Sequence, residues 1–164
     1  MSYISELWMR YTTLDTQTMS KEIPASASTV FGLFRNHADF FALFKELGLK
    51  VSSNWPQLKR GNLYDFSPGH GVHIKVYAQE VVEDRGIDLL FLTGPVKGSW
   101  HIFIDPLDHH NCRFNIRFDM HTYNPLFRLI WWLYLYERHA DSGYRILEWA
   151  DEKARRAVSL PAAS

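Results

Sequence analysis

The run from Asn124 to about Arg156 constrains this chain most, because it reads as one long helix. Asn124 is a good capping residue, and Pro125 suits the first helical position. Gly143 is the one glycine or proline inside the helix after that start. An apolar stripe repeats at helical spacing through Leu126, Leu129, Leu133, Tyr136, Ala140, Tyr144, Leu147, Ala150 and Ala154. A stripe of this length needs a broad apolar partner. The first half of the helix also projects Phe127, Trp131, Trp132, Tyr134 and Leu135 from its other sides. A helix that is apolar all round is buried on more than one face or touches something else.

The preceding chain supplies the partner as short strands. Leu14 to Ile23 reads as a threonine-rich first strand, ended by Pro24. Two short helices follow. One is capped by Ser26 or Ser28 and carries Val30, Phe31, Leu33 and Phe34; the other carries Phe40, Phe41, Leu43, Phe44 and Leu47 and stops at Gly48. The period then changes to two. Strands are expected over 49–55, 62–67, 72–83, 87–93, 99–105 and 112–122, separated by proline, glycine and polar turns. Short turns between consecutive strands imply an antiparallel meander. The fold class is therefore α+β: a seven-stranded curved antiparallel sheet wrapped on a long C-terminal helix, with two short helices between strands one and two.

A length of 164 residues fits one domain with a real core, preceded by a lead-in over 1–12 and ended by a frayed tail over 159–164. Eighteen basic residues balance eighteen acidic ones, so nothing steers the chain toward nucleic acid. Glu6 and Arg10 break the only apolar stretch near the start, which argues against a signal peptide. No run approaches the roughly 20 apolar residues that span a bilayer. The single cysteine, Cys112, fits a reducing compartment, and a cytoplasmic location is expected.

Three stretches carry a resemblance to a known family. Lys21-Glu22-Ile23-Pro24-Ala25-Ser26-Ala27-Ser28-Thr29-Val30-Phe31 resembles a first strand running through a proline-alanine turn into helix one. Asn36-His37-Ala38-Asp39-Phe40-Phe41-Ala42-Leu43-Phe44 is similar to the second-helix segment. Thr93-Gly94-Pro95 and Arg117-Phe118-Asp119-Met120 look like the corresponding parts of bacterial aromatic polyketide cyclases. The family is the START-like or Bet v 1-like (SRPBCC, helix-grip) superfamily, nearest in pattern to its polyketide cyclase/dehydrase and lipid-transport branch. The resemblance implies a cavity between the concave sheet and the last helix that holds a lipid- or polyketide-like molecule.

On that reading the ligand-binding residues are Phe91, Trp100, Ile102, Phe114, Ile116 and Phe118 on the strands, with Leu129, Leu133, Tyr136 and Ala140 on the helix. For any one of them taken singly, ordinary core packing is the more common explanation; the cavity reading rests on the set. Tyr64, Asp65, His73, Tyr77, Glu80, His101, Tyr136 and Tyr144 are the polar groups within reach of such a cavity. Strand phase puts His73 and His101 on the solvent side, and a one-residue slip would move Asp65 or Glu80 to the other face. No constellation singles out a catalytic residue. The eight histidines show no metal-ligand spacing, and no cofactor is implied. Two functions stay open: binding alone, or a polyketide cyclase/dehydratase type of enzyme in the same cavity. The aromatic shoulder of the helix adds a third, an interaction surface. Phe127, Trp131, Tyr134 and Leu135 would form a homodimer contact, lie under the lead-in residues Leu7, Trp8 and Tyr11, or rest on a membrane surface.

Overall fold

The computed structural model describes residues 13–69 and 72–159. The expected lead-in, the His70–Gly71 turn tip and residues 160–164 lie outside the described residues. Strand β1 (Thr13–Ile23) leads into helices α1 (Ala27–Arg35) and α2 (His37–Glu46). Six strands follow: β2 (Lys50–Ser53), β3 (Leu63–Gly69), β4 (Val72–Val82), β5 (Gly86–Phe91), β6 (Lys97–Pro106) and β7 (Cys112–His121). The seven strands form one curved sheet in the order β1-β7-β6-β5-β4-β3-β2, and every pairing is antiparallel. The meander β2 to β7 is extended by β1, which pairs with the last strand and forms one edge of the open sheet.

Local chemistry sets the helix starts. The Ser26 hydroxyl accepts from the Thr29 N–H at 3.2 Å, and the Asn36 side chain accepts from the Ala38 N–H at 3.0 Å. The last helical region begins where the buried Thr122 donates to the Pro95 carbonyl at 2.8 Å. The Asn124 side chain then accepts from the N–H groups of Leu126 and Phe127.

The expected single helix proves to be three segments: α3 (Pro125–Ile130), one π-helical turn (Trp131–Leu135) and α4 (Tyr136–Ser159), so Ser159 is helical rather than frayed. In the π turn the Tyr136 N–H bonds the Trp131 carbonyl, five residues back. This corrects the apolar stripe. Its later part holds, with Leu147, Ala150 and Ala154 buried. Its earlier part does not. Leu126, Leu129 and Leu133 are 65%, 56% and 62% exposed, while Trp131 is only 5% exposed. The wide turn shifts the helical phase upstream, so Phe127, Trp131 and Leu135 turn toward the protein.

The core lies between the concave sheet face and α1, α2 and α4. Phe34 of α1 touches both Phe114 of β7 (5.4 Å) and Trp149 of α4 (5.8 Å). Gly143 lets α4 approach the sheet. A Cβ there would lie 2.6 Å from the end of the Met19 side chain.

Candidate functional site

An aromatic column runs from the middle of the sheet to the π turn. Trp100 and Phe118 are register partners on β6 and β7 and stack at 5.4 Å. Phe118 meets His139 edge-on at 4.5 Å, and His139 lies 5.1 Å from Trp131. Trp131 continues to Phe127 at 6.3 Å. The π turn makes this alignment. Eight residues of regular helix separate two side chains by about 80° beyond two full turns. The wider turn takes up that excess and brings Trp131 over His139.

Asp15 completes the group. It is 4% exposed, and its Oδ2 lies 2.9 Å from Nδ1 of His139. A shift of register between Thr13 and Asp15 marks a β-bulge that leaves Leu14 as the extra residue. Beyond the bulge Asp15 pairs with the buried Met120 and projects inward with it. A carboxylate can only accept, so the proton of the neutral imidazole sits on Nδ1. Nε2 is left as an acceptor with no protein partner among the described residues. The indole N–H groups of Trp100 and Trp131 are also buried and unpartnered. A buried donor without a partner costs about 1–3 kcal/mol. The column therefore holds two buried, unused donors beside the Nε2 of a partly exposed histidine.

A second polar group lies under α2. His37 Nδ1 is 3.0 Å from the Trp55 carbonyl, which accepts, so Nε2 accepts from the Tyr64 hydroxyl at 3.1 Å. The Asn62 amide donates to the same hydroxyl at 3.2 Å. Burial pushes the Tyr64 phenol up to about 12 and holds His37 below its ordinary value. His37 stacks on Phe41, so this chain of bonds ties α2 to β3 through fully packed contacts.

Among the sequence-derived ligand residues, Trp100, Ile102, Phe114, Ile116 and Phe118 are buried on the concave face. Phe91 and Tyr136 are partly buried against the core, and Ala140 is half-buried. Leu129 and Leu133 point away from the sheet, for the phase reason given above. Trp131 likewise leaves the expected outward set of Phe127, Trp131, Tyr134 and Leu135, in which Tyr134 alone is fully exposed. Asp65 and His73 pair with each other at 2.9 Å on exposed positions, and Tyr144 is exposed. His101 faces outward, as its strand phase predicts, and is half-buried there by its neighbours. Burial raises the Cys112 thiol to about 11, which keeps it protonated and unreactive. Among the described residues, no three His, Cys, Asp or Glu side chains converge as metal ligands. No helix there is long and apolar enough to cross a membrane.

No protein-family model matches this sequence, and no curated protein matches it. Solved structures do. A norcoclaurine synthase of Thalictrum flavum matches with a TM-score of 0.65 and 16% identity, over 88% of this chain and 96% of its own. The Zhui aromatase/cyclase of Streptomyces sp. R1128 matches with a TM-score of 0.65 and 16% identity, over 88% of this chain and 95% of its own. The chain has the helix-grip fold that these structures share. A START superfamily protein of Mycobacterium smegmatis shares it at a TM-score of 0.61 and 10% identity, over 87% of this chain and 98% of its own. Within the helix-grip architecture, the column from Trp100 to Trp131 lies where the concave sheet meets the gripped helix.

Sequence reasoning missed Asp15 and His139. They are 124 positions apart, and no spacing links them. The available signal was an acidic residue on the Met19 side of β1 and a histidine just after the aromatic run.

Proposed function

We propose that this chain binds a hydrophobic small molecule, lipid- or polyketide-like, between the concave sheet and the C-terminal helix. The ligand carries an acceptor oxygen such as a ketone, phenol or carboxylate. One observation carries the reading: the buried, unpartnered indole N–H groups of Trp100 and Trp131, set in an aromatic column beside His139. Apolar contact supplies most of the affinity, on the order of 1.5–3 kcal/mol for each well-buried aromatic ring. The N–H groups orient the ligand. A structure with the same fold, the norcoclaurine synthase, was solved with dopamine and hydroxybenzaldehyde, both small aromatic molecules bearing oxygen.

Native mass spectrometry of the purified protein tests for a retained molecule. Titration with 1-anilinonaphthalene-8-sulfonate, which joins aromatic rings to acceptor oxygens, tests the site. Trp131→Phe keeps the ring and removes the donor, and it should weaken dye binding about tenfold, equivalent to roughly 1.4 kcal/mol. Phe118→Ala should weaken it further. A folded Trp131→Phe/Phe118→Ala double variant that binds dye like the wild type would sink the assignment.

The Asp15–His139 pair favours a second reading, a polyketide cyclase/dehydratase type of enzyme. The unpartnered Nε2 of His139 would take a proton from a carbon beside a carbonyl, with Asp15 holding the imidazole in the required tautomer. Turnover of a poly-β-keto thioester, reduced about 10²–10⁴-fold by His139→Gln, supports it. Binding without turnover returns the site to the first reading.

A further inference from the structure

The outward face of the sheet holds a hydrogen-bonded chain that the interior site does not use. His101 of β6 has Nδ1 2.8 Å from Oδ1 of Asp88 on β5, its direct register partner. Its Nε2 lies 2.8 Å from Oγ of Ser99, two residues earlier on the same strand and therefore on the same face. Asp88 can only accept, so Nδ1 carries the imidazole proton and Nε2 accepts from the Ser99 hydroxyl. This is the connectivity that activates a serine: hydroxyl to base, base to orienting carboxylate. The side chains of His101 and Asp88 are 33% and 42% exposed, so the chain is open to solvent.

Two further features lie beside it. Arg117 is the register partner of His101, and its Nε donates to Asp119, the partner of Ser99, at 2.9 Å. A guanidinium, paired with a carboxylate, thus lies on the face that carries Ser99. On the other side, Gly86 sits between Val82 and Phe103 in the register. A Cβ at Gly86 would come within 2.4 Å of the Ile102 carbonyl oxygen. A shallow groove of about 200 Å³ lies beyond this glycine, lined by Glu80, Val82, Arg85, Asp88 and Phe103. Asp88 borders both the groove and the hydrogen-bonded chain.

We propose that this face is an esterolytic site, with Ser99 as nucleophile, His101 as general base and Asp88 as the residue that orients it. The substrates are small esters of short carboxylic acids, which can reach a hydroxyl on the open face of the sheet. Ser99 Oγ attacks the ester carbonyl and its proton passes to Nε2 of His101. The Arg117 guanidinium stabilises the oxyanion. The carbon–oxygen bond to the alcohol breaks, and His101 returns the proton to the departing alkoxide. Water then attacks the acyl-serine by the same route. The acid leaves, and Ser99 regains its proton.

p-Nitrophenyl acetate tests this on the whole chain. Release of p-nitrophenol should accompany a single acetyl group, found by peptide mass spectrometry on Ser99. Ser99→Ala and His101→Gln should each lower release about 10²–10⁴-fold, and Asp88→Asn should lower it less. Folding of each variant is checked by near-ultraviolet circular dichroism and by its urea midpoint, neither of which depends on the interior site. Acetylation confined to lysines, or undiminished release by folded Ser99→Ala, overturns the proposal.

Discussion

Gly98 shows how single positions hold this sheet together. Its φ of +126° lies in the region that favours glycine, and a Cβ there would sit 1.8 Å from the Asp119 carbonyl oxygen. Backbone cannot yield as a side chain can. Gly98→Ala should therefore cost at least about 2–3 kcal/mol, read as a lower urea midpoint. His37 sets an acid limit. Burial is the main cause that holds its imidazole below the ordinary 6.5, partly opposed by the Trp55 carbonyl. The folded form is neutral. As pH falls through about 6.5 the unfolded chain takes up a proton that the folded chain refuses, so this contribution is full above that pH and declines below it. Urea midpoints at pH 7.5 and 5.5 should differ more for the wild type than for His37→Gln. Equal differences would show that another group controls the acid limb.

At the scale of elements, the π turn carries one residue more than a regular helix needs. Deleting the exposed Tyr134 should return that segment to regular helix with Trp131 still over His139, at a cost of no more than about 1–2 kcal/mol. Deleting the exposed Asp141 turns Trp131 by about 100° against the buried residues of α4 and should abolish cooperative unfolding. Circular dichroism melts of the two deletions separate these outcomes. The outward face of the same region presents Leu126, Leu129, Ile130, Trp132, Leu133 and Tyr134 to solvent. Self-association through it predicts a concentration-dependent dimer in sedimentation, returned to monomer by Leu133→Glu. The π turn also marks the limit of what was legible in the sequence. Alternation on β7 and the caps at Ser26 (or Ser28) and Asn124 were readable because each depends on neighbours within a few residues. Strand positions followed to within a few residues for the same reason. The phase of Leu129 and Leu133 was not readable, since a five-residue hydrogen bond leaves no mark in an apolar run. The Asp15–His139 pair depends on a bulge and on the approach of two distant elements, which local pattern does not encode.

Across the whole molecule, three layers meet at Phe34, Phe114 and Trp149. Phe114→Ala should cost about 3–5 kcal/mol in chemical denaturation, because the cavity it leaves is walled by β7, α1 and α4. Lys21 of β1 adds an outer clasp to α4 through Glu148 at 2.6 Å and Asp151 at 3.1 Å. Burial alone would raise the Asp151 carboxyl, but hydrogen bonds from Arg155 and Lys21 outweigh it and hold it below the usual range. Among the described residues the two edge strands differ: β2 is four residues long, too short to recruit another chain, whereas β1 is an eleven-residue strand. That strand order has a consequence for a protein made from one end. On a ribosome, β1 emerges before the other six strands, yet the strand it pairs with follows roughly ninety residues later. At about 5–20 residues per second, β1 waits several seconds with its hydrogen-bonding groups unmatched. Its threonines, serine and charged residues keep it hydrated during that wait, so the composition of the first strand suits the schedule of synthesis as well as the finished sheet.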